Sequence, residues 1–341
     1  MTFHPDEIFK IPTPTEYENS ANGIFNDYAL KVFFYQYKHN PVYKSFVDYL
    51  YKQDNRKIQN IKHYTEIPFL PIEFFKTHTV TCFPLHPQTR YFESSGTTRQ
   101  HLSKHYIYDE AIYQTSIFKA FERFYGNPQQ YLFIFLLPNE NERPHSSLVY
   151  MAQYLLSFSK YQESGFYLNK MPEAVEVMKK YNQKDIPIFI LGISYALMDF
   201  ADLNVQLNNN NIIVMETGGM KGKREELPKK IFHNYLKNKL GISKIHSEYG
   251  MTELFSQAYS KRDSIFETPP WMKILVREPD DPMTLHHKNK QGLINVIDLA
   301  NIHTCSFIAT SDIGKLYENG QFEILGRSDF SDIRGCNLMY Q

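Results

Sequence analysis

The chain has 341 residues, enough for one large domain or two unequal ones, and a body of that size buries roughly three quarters of its extended surface. An apolar fraction of 42%, with 25 Tyr and 26 Phe, excludes disorder, which requires few aromatics and a large net charge. Its 37 basic residues balance 37 acidic ones, so no overall field draws the protein to nucleic acid or anionic lipid, although Lys221, Lys223 and Arg224 form a local basic patch.

Residues 1–85 read as a helical, aromatic-rich region packed on the main body. Ile24 to Tyr37 places Phe25, Tyr28, Val32 and Phe33 on a buried helix face, and a second helix carries Tyr43, Phe46 and Leu50. Pro68 and Pro71 break this pattern in IPFLPIEFFKTH, which is predicted to be extended. Between 86 and 270, apolar runs alternate with amphipathic helices. Asp109 caps a predicted helix that runs to Tyr125 and stops at Gly126. The strand YLFIFLL follows, then helices over 147–160 and 171–182 and the strand IPIFILG. A further helix, the strand NIIVMET and a helix within EELPKKIFHNYLKNKLG complete the series. Continuous apolar runs of strand length between helices imply a parallel sheet covered on both faces. Residues 271–341 change to closely spaced strands: MKILVRE, GLINVIDL, SFIAT, GKLYEN and QFEILGR, with a hairpin turn at Asn319-Gly320. The fold class is α/β, mixed or parallel sheets covered by helices with a β-rich C-terminal subdomain.

Cys82, Cys305 and Cys336 are too few and too scattered for a disulfide framework or a zinc site, which points to a reducing compartment. The N-terminus MTFHPDEIFK has no signal-peptide pattern, and the longest apolar run, Tyr131 to Leu137, is too short to cross a bilayer. The expectation is a cytoplasmic protein with no membrane span and no nucleic-acid partner.

Five segments carry residues suited to chemistry. In Phe92-Glu93-Ser94-Ser95-Gly96-Thr97-Thr98-Arg99, successive small residues offer N–H groups and hydroxyls to a polyphosphate, without the spacing of a P-loop. Met215-Glu216-Thr217-Gly218-Gly219 leaves an apolar strand with paired glycines that admit a planar ligand to the backbone. His246 to Glu253 combines an aromatic (Tyr249), a glycine (Gly250), a hydroxyl (Thr252) and a carboxylate (Glu253) suited to Mg²⁺. Asp312, in Thr310-Ser311-Asp312-Ile313-Gly314, can accept from ribose hydroxyls, and Arg327, in Gly326-Arg327-Ser328-Asp329, can pair with phosphate or ribose oxygens. Each alone also suits a turn, a helix cap or a surface ion pair.

In this order the five resemble the motif series of the acyl-adenylate-forming superfamily, which includes acyl-CoA synthetases, firefly luciferase and peptide-synthetase adenylation domains. The resemblance runs from about residue 90 to 335. Ile67-Pro68-Phe69-Leu70-Pro71-Ile72, with Phe75-Lys76, narrows it to the LuxE-type acyl-protein synthetases. That resemblance implies the large N-terminal domain of the adenylate-forming fold, ATP and Mg²⁺ as cofactors, and a carboxylic acid, most simply a fatty acid, as substrate. An acyl-acceptor protein or reductase is the implied partner. It places Ser94, Ser95, Gly96, Thr97 and Thr98 on the β- and γ-phosphates, Gly218 and Gly219 beside adenine, and Tyr249 and Gly250 near the base. Thr252 falls on the α-phosphate, Glu253 on Mg²⁺, Asp312 on the ribose, Arg327 on the nucleotide and Cys336 at the acyl-accepting thiol.

Two departures stand out. Where the family loop continues with glycine and Pro-Lys-Gly, this chain reads Arg99-Gln100-His101-Leu102-Ser103-Lys104, leaving Arg99 or Lys104 to supply the positive charge. Only six residues follow Gly335, and the resemblance leads to the expectation that the family's mobile C-terminal domain, with its lysine, has no counterpart here. Cys336 equally suits a small buried residue, Cys82 and Cys305 read as core, and His145, His246 and His303 as structural histidines. Three functions follow: acyl-AMP formation with transfer to Cys336, transfer to coenzyme A, a carrier protein or a biosynthetic intermediate, or a non-catalytic nucleotide-binding remnant.

Overall fold

The structure is a computed structural model that describes residues 5–12, 18–53, 57–95, 102–207, 211–220, 223–225 and 227–328. Gly96, Thr97, Thr98, Arg99, Lys221 and Cys336 lie outside the described residues.

After a short 3₁₀ helix (Pro5–Lys10), two helices pack against each other, α1 (Glu18–His39) and α2 (Pro41–Gln53). They bury Phe25, Val32, Phe33 and Tyr43, as read from the sequence, together with Val47, while Tyr28, Phe46 and Leu50 are only partly buried. The proline-broken segment is only partly extended. Leu70–Pro71 forms a short strand (β1), but Phe74–Thr77 closes one helical turn (α3). A hairpin follows, β2 (Tyr91–Glu93) and β3 (Lys104–Tyr106). Helix α4 (Glu110–Tyr125) starts on Asp109, whose carboxylate accepts from Ala111 N at 2.9 Å, and ends at Gly126 with φ +78°, where a side chain would be strained.

The central sheet takes β4 (Leu132–Leu136), then α5 (Ser147–Leu156), β5 (Gly165–Phe166), α6 (Met171–Asn182), β6 (Ile188–Ile193) and α7 (Ser194–Ala201). It continues with β7 (Ile212–Thr217), α8 (Lys229–Leu240), β8 (His246–Tyr249) and β9 (Ala258–Ser260). Its order is β5-β4-β6-β7-β8-β9, parallel throughout except for β9, which reverses against β8. β4 and β6 are buried along their whole length, as their unbroken apolar runs require. Phe121 of α4 meets Phe133 and Phe189 of these strands at ring separations of 5.8 and 5.1 Å.

The second sheet contains β10 (Ile265–Phe266), β11 (Met272–Arg277), β12 (Gln291–Asp298), β13 (Phe307–Leu316) and β14 (Phe322–Arg327), in the order β10-β14-β13-β12-β11. All its pairings are antiparallel except β1, which joins β13 in parallel. The sequence suggested two strands, SFIAT and GKLYEN. They are one, β13, because the small Ser311 to Gly314 stretch continues the ladder through a bulge. Gly314 permits this: a Cβ there would sit 2.5 Å from the Glu323 carbonyl. The Asn319-Gly320 turn is present, with Gly320 at φ +82°.

The helical N-terminal region is tied by polar contacts to the segment that links β12 and β13. Gln36 Nε2 donates to the carbonyls of Asn301 at 2.8 Å and Ile302 at 3.0 Å, and Asn40 Nδ2 to that of Thr304 at 2.9 Å. Among the described residues no helix is long and apolar enough to cross a membrane.

Candidate functional site

The C-terminal ends of β7 and β8 lie side by side, because Glu216 pairs with Ser247 in the parallel ladder. This brings the glycine pair that follows β7 next to the Tyr249-Gly250 pair that ends β8. Gly218 has φ +67°, and its carbonyl accepts a hydrogen bond from Ser194 Oγ at 2.9 Å. An open strand end lined by glycine is where a parallel sheet admits a ligand to its backbone.

Tyr249 links this edge to the second sheet. Its hydroxyl donates to Asp312 Oδ2 at 2.7 Å, and its ring packs against Phe266 and Phe322 at 6.0 and 5.7 Å. Burial pushes the Tyr249 hydroxyl well above its ordinary pKa, helped by the neighbouring Asp312. Asp312 pairs in register with Arg327 across β13 and β14, with Arg327 Nε 3.9 Å from its carboxylate. Burial raises the Asp312 carboxyl, opposed by the Tyr249 hydrogen bond and the Arg327 charge. The guanidinium is largely exposed.

The Ser/Thr loop is fastened at its base. Ser94 N donates to the Ser103 carbonyl at 3.1 Å, and Ser103 N returns a bond to Ser94 Oγ at 3.0 Å. Ser103, itself fully buried, also meets the Glu253 carboxylate through its hydroxyl. His105, two residues on, donates from Nδ1 to the Thr252 carbonyl at 2.9 Å, while its Nε2 accepts from Thr304 Oγ1 at 3.0 Å. Ser103 and His105 therefore tie the start of β3 to the Thr252-Glu253 pair. The sequence carries no signal for either beyond proximity to the loop. Glu253 is only 4% exposed; burial raises its carboxyl, while Ser103, Arg327 and Lys76 act to lower it.

Among the described residues no group of three or more His, Cys, Asp or Glu can hold a metal. A lone buried carboxylate fits Mg²⁺, which binds through one or two carboxylates and the phosphates of its substrate. Lys104 lies at the base of the loop, over the Tyr91 ring at 4.8 Å. With Lys76, His78, Glu93 and Phe75 it lines a groove of about 390 Å³.

Two further carboxylates stand at the strand ends. Glu216 is 2% exposed and paired with Lys229 Nζ at 2.7 Å; burial alone would raise its carboxyl, but Lys229, His233 and Ser247 bring it below the usual value. Glu248 is 8% exposed and accepts from Thr217 Oγ1; burial pushes its carboxyl up to about 7.

The remaining candidates make packing and hydrogen-bonding contacts away from these strand ends. His145 stacks on Tyr91 at 4.3 Å, His246 bonds to the Tyr125 hydroxyl at 3.2 Å and His303 to that of Tyr35 at 3.3 Å. Cys305 is fully buried with its thiol pushed up to about 12, and burial also raises the Cys82 thiol. The aromatics of α4 and β4 interlock as core: Tyr113, Phe121, Phe133 and Phe135 are all buried.

No family model matches the chain, and no curated protein matches it. Solved structures do match. An open conformation of 2-hydroxyisobutyryl-CoA ligase, in complex with 2-HIB-AMP and CoA, superposes with a TM-score of 0.68 at 12% identity, covering 93% of this chain and 72% of that one. ATP-bound MatB from Rhodopseudomonas palustris gives 0.53 at 17% identity, over 70% of this chain and 47% of that one. O-succinylbenzoate coenzyme A synthetase (MenE) from Bacillus subtilis, with ATP and a magnesium ion, gives 0.50 at 15% identity, over 70% and 49%. The matched region thus spans about half the length of the MatB and MenE chains. With its parallel core, second antiparallel sheet and glycine-lined strand ends, the chain has the fold of the large N-terminal domain of acyl-adenylate-forming ligases.

Proposed function

We propose that this chain activates a small-molecule carboxylic acid with ATP, forming an acyl-adenylate and releasing pyrophosphate. The observation that carries the reading is the Tyr249–Asp312 hydrogen bond, which brings two separated nucleotide-type motifs to one edge of this fold. The acid's carboxylate oxygen attacks the α-phosphorus as the bond to pyrophosphate breaks, so the protein's task is positioning and charge neutralisation. Tyr249, packed on Phe266 and Phe322, presents a fixed aromatic edge to the base beside Gly218 and Gly219. Asp312 accepts from the ribose hydroxyls, and Arg327 reaches the nucleotide's oxygens. Thr252 lies beside the α-phosphate, its backbone held by His105. Ser94 and Ser95 begin the phosphate loop, whose later residues Gly96, Thr97 and Thr98 complete the assignment. Glu253 is the residue to hold Mg²⁺, which supplies charge neutralisation to the phosphates.

A thiolate then attacks the acyl carbonyl, breaking the acyl–phosphate bond and releasing AMP as the thioester forms; we assign this thiol to Cys336 or to a partner acceptor protein. Cys82 and Cys305 are poor candidates because burial keeps both thiols protonated. A second acceptor, coenzyme A, is favoured by the 2-hydroxyisobutyryl-CoA ligase neighbour that holds both an adenylate and CoA. Hydroxylamine trapping tests the activation step. With ATP, Mg²⁺ and the right acid, the protein should form the corresponding hydroxamate; a panel of fatty, amino and hydroxy acids yielding none would reject it. Intact mass then tests the acceptor, since an acyl adduct that survives Cys336→Ser excludes Cys336.

A further inference from the structure

Asp312 reaches Tyr249 where β13 leaves its regular ladder. On β12, Leu293 pairs with Ile313 and Asn295 with Ala309, so Ile294 alone faces three residues, Thr310, Ser311 and Asp312. The extra backbone groups of such a bulge lose their ladder partners and must find others. The partner here is Arg277. It ends β11, which β12 separates from β13, and it is only 6% exposed.

The Arg277 guanidinium bridges the gap. Its Nη1 donates to the Ile294 carbonyl at 3.0 Å and to Asn295 Oδ1 at 2.8 Å, and its Nη2 to the Thr310 carbonyl at 2.9 Å. The Thr310 hydroxyl completes the bridge, donating to the same Ile294 carbonyl at 2.9 Å and accepting from Asp312 N at 3.2 Å. Ser311, between them, is held by Glu73 Oε1 at 3.0 Å and by Ser328 N at 2.8 Å. This arrangement carries two costs. Arg277 is a buried cation with no ion pair among the described residues; burial pulls its guanidinium down to about 10, opposed by the charge of Glu73. Asn295, also buried, turns its oxygen to Arg277 and leaves its Nδ2 without a partner among the described residues. A plain ladder over an apolar side chain would avoid both costs, and such departures concentrate at working sites.

We infer that Arg277, together with the Thr310 hydroxyl, is a positioning residue that fixes the β13 bulge so that the Asp312 carboxylate meets both Tyr249 and the ribose of the nucleotide. It acts through the backbone of Thr310 to Asp312 rather than on the nucleotide itself. The inference rests on the nucleotide-binding part of the reading above and is independent of the acid. A planar fork serves two carbonyls and a side-chain oxygen at once; a lysine ammonium, one nitrogen on a flexible stem, does not hold that geometry.

The test is calorimetric binding of ATP, 2′-deoxy-ATP and 3′-deoxy-ATP to the full chain with Mg²⁺. A hydrogen bond to a charged acceptor corresponds to about ten-fold or more in affinity, so the wild type should prefer ATP to either deoxy form by that factor. In Arg277→Lys and in Thr310→Val the preference should fall to about two-fold or less, through weaker binding of ATP and not of the deoxynucleotides. An undiminished preference in variants that fold, or an equal loss for all three nucleotides, would overturn the inference and leave Arg277 a structural brace. A wild type that binds the three alike would overturn it too, by removing Asp312 from the ribose. If Arg277→Lys does not fold, Thr310→Val alone decides. ATP binding without acid-dependent exchange would reject adenylation while the ribose preference still decides this inference; no ATP binding would overturn both.

Discussion

The hydroxyl of Tyr249 donates to Asp312 Oδ2 at 2.7 Å, joining residues 63 positions apart and two different sheets. Tyr249 ends a strand of the parallel sheet, and Asp312 sits where β13 bulges in the antiparallel one. The bond sets the tyrosine ring against Phe266 and Phe322 and holds the Asp312 carboxylate beside Arg327.

Tyr249→Phe keeps the ring and removes the donor. A bond of this kind contributes about 1 kcal/mol, so the melting temperature should fall by only a few degrees. The KM for ATP should rise roughly ten-fold, the loss of about 1.4 kcal/mol of binding, with the acid's KM little changed. Differential scanning fluorimetry and ATP titrations read the two effects separately. An unchanged KM for ATP would remove the Tyr249–Asp312 pair from the nucleotide site.

Glu253→Gln can still accept from Ser103 through its amide oxygen, so the fold should persist. Loss of the charge should lower kcat by roughly 10²–10³, the cost typical of losing one charge-stabilising group. It should also raise the Mg²⁺ concentration needed for half-maximal activity. A magnesium titration of exchange activity checks this, and an unaltered Mg²⁺ requirement would reassign the metal.

His105 gives the protein a defined acid sensitivity. Burial lowers its pKa from 6.5 to about 4, although its bond to the Thr252 carbonyl acts to raise it. A folded pKa below the unfolded one gives stability that is complete above about pH 6.5 and lost as pH falls toward 4. At about 1.36 kcal/mol per pH unit, the loss is on the order of 3 kcal/mol. Burial depresses His246 in the same direction, with Lys261 and Lys244 adding to it. Denaturant unfolding at pH 7.5, 5.5 and 4.5 should show the decline, and His105→Gln should remove about half of it. A variant with the wild-type slope would show that His105 does not titrate in the folded protein.

Gly250→Ala places a methyl group 2.3 Å from Glu248 Oε1, which must move. A destabilisation of about 1–3 kcal/mol is expected, as for other overpacked positions. In the Glu248→Ala background the same change should cost much less, giving a coupling of roughly 1–2 kcal/mol in a double-mutant cycle. Additive effects would mean that the glycine serves another neighbour.

The parallel core was legible because its strands are unbroken apolar runs set between helices, and because Asp109 and Gly126 mark both ends of α4. The motif residues were legible as types and in order. Their convergence was not, since the Glu216–Ser247 pairing and the Tyr249–Asp312 bond depend on how distant strands meet. Ser311 to Gly314 looked like a break because small residues usually mark turns, yet a long-range ladder carries β13 through them. Ser103 and His105 were invisible for the same reason: their partners, Glu253 and Thr252, lie some 150 residues away. The short strand at Leu70 exists only because β13 pairs with it.

The central claim is acid activation at the edge shared by β7 and β8, and acid-dependent ATP–pyrophosphate exchange measures it most directly. The account predicts exchange that requires both Mg²⁺ and a particular acid, that falls at least 100-fold in Glu253→Gln, and that weakens in Tyr249→Phe through the KM for ATP. ATP binding without exchange for any acid across a broad panel would contradict it and leave a nucleotide-binding protein without turnover.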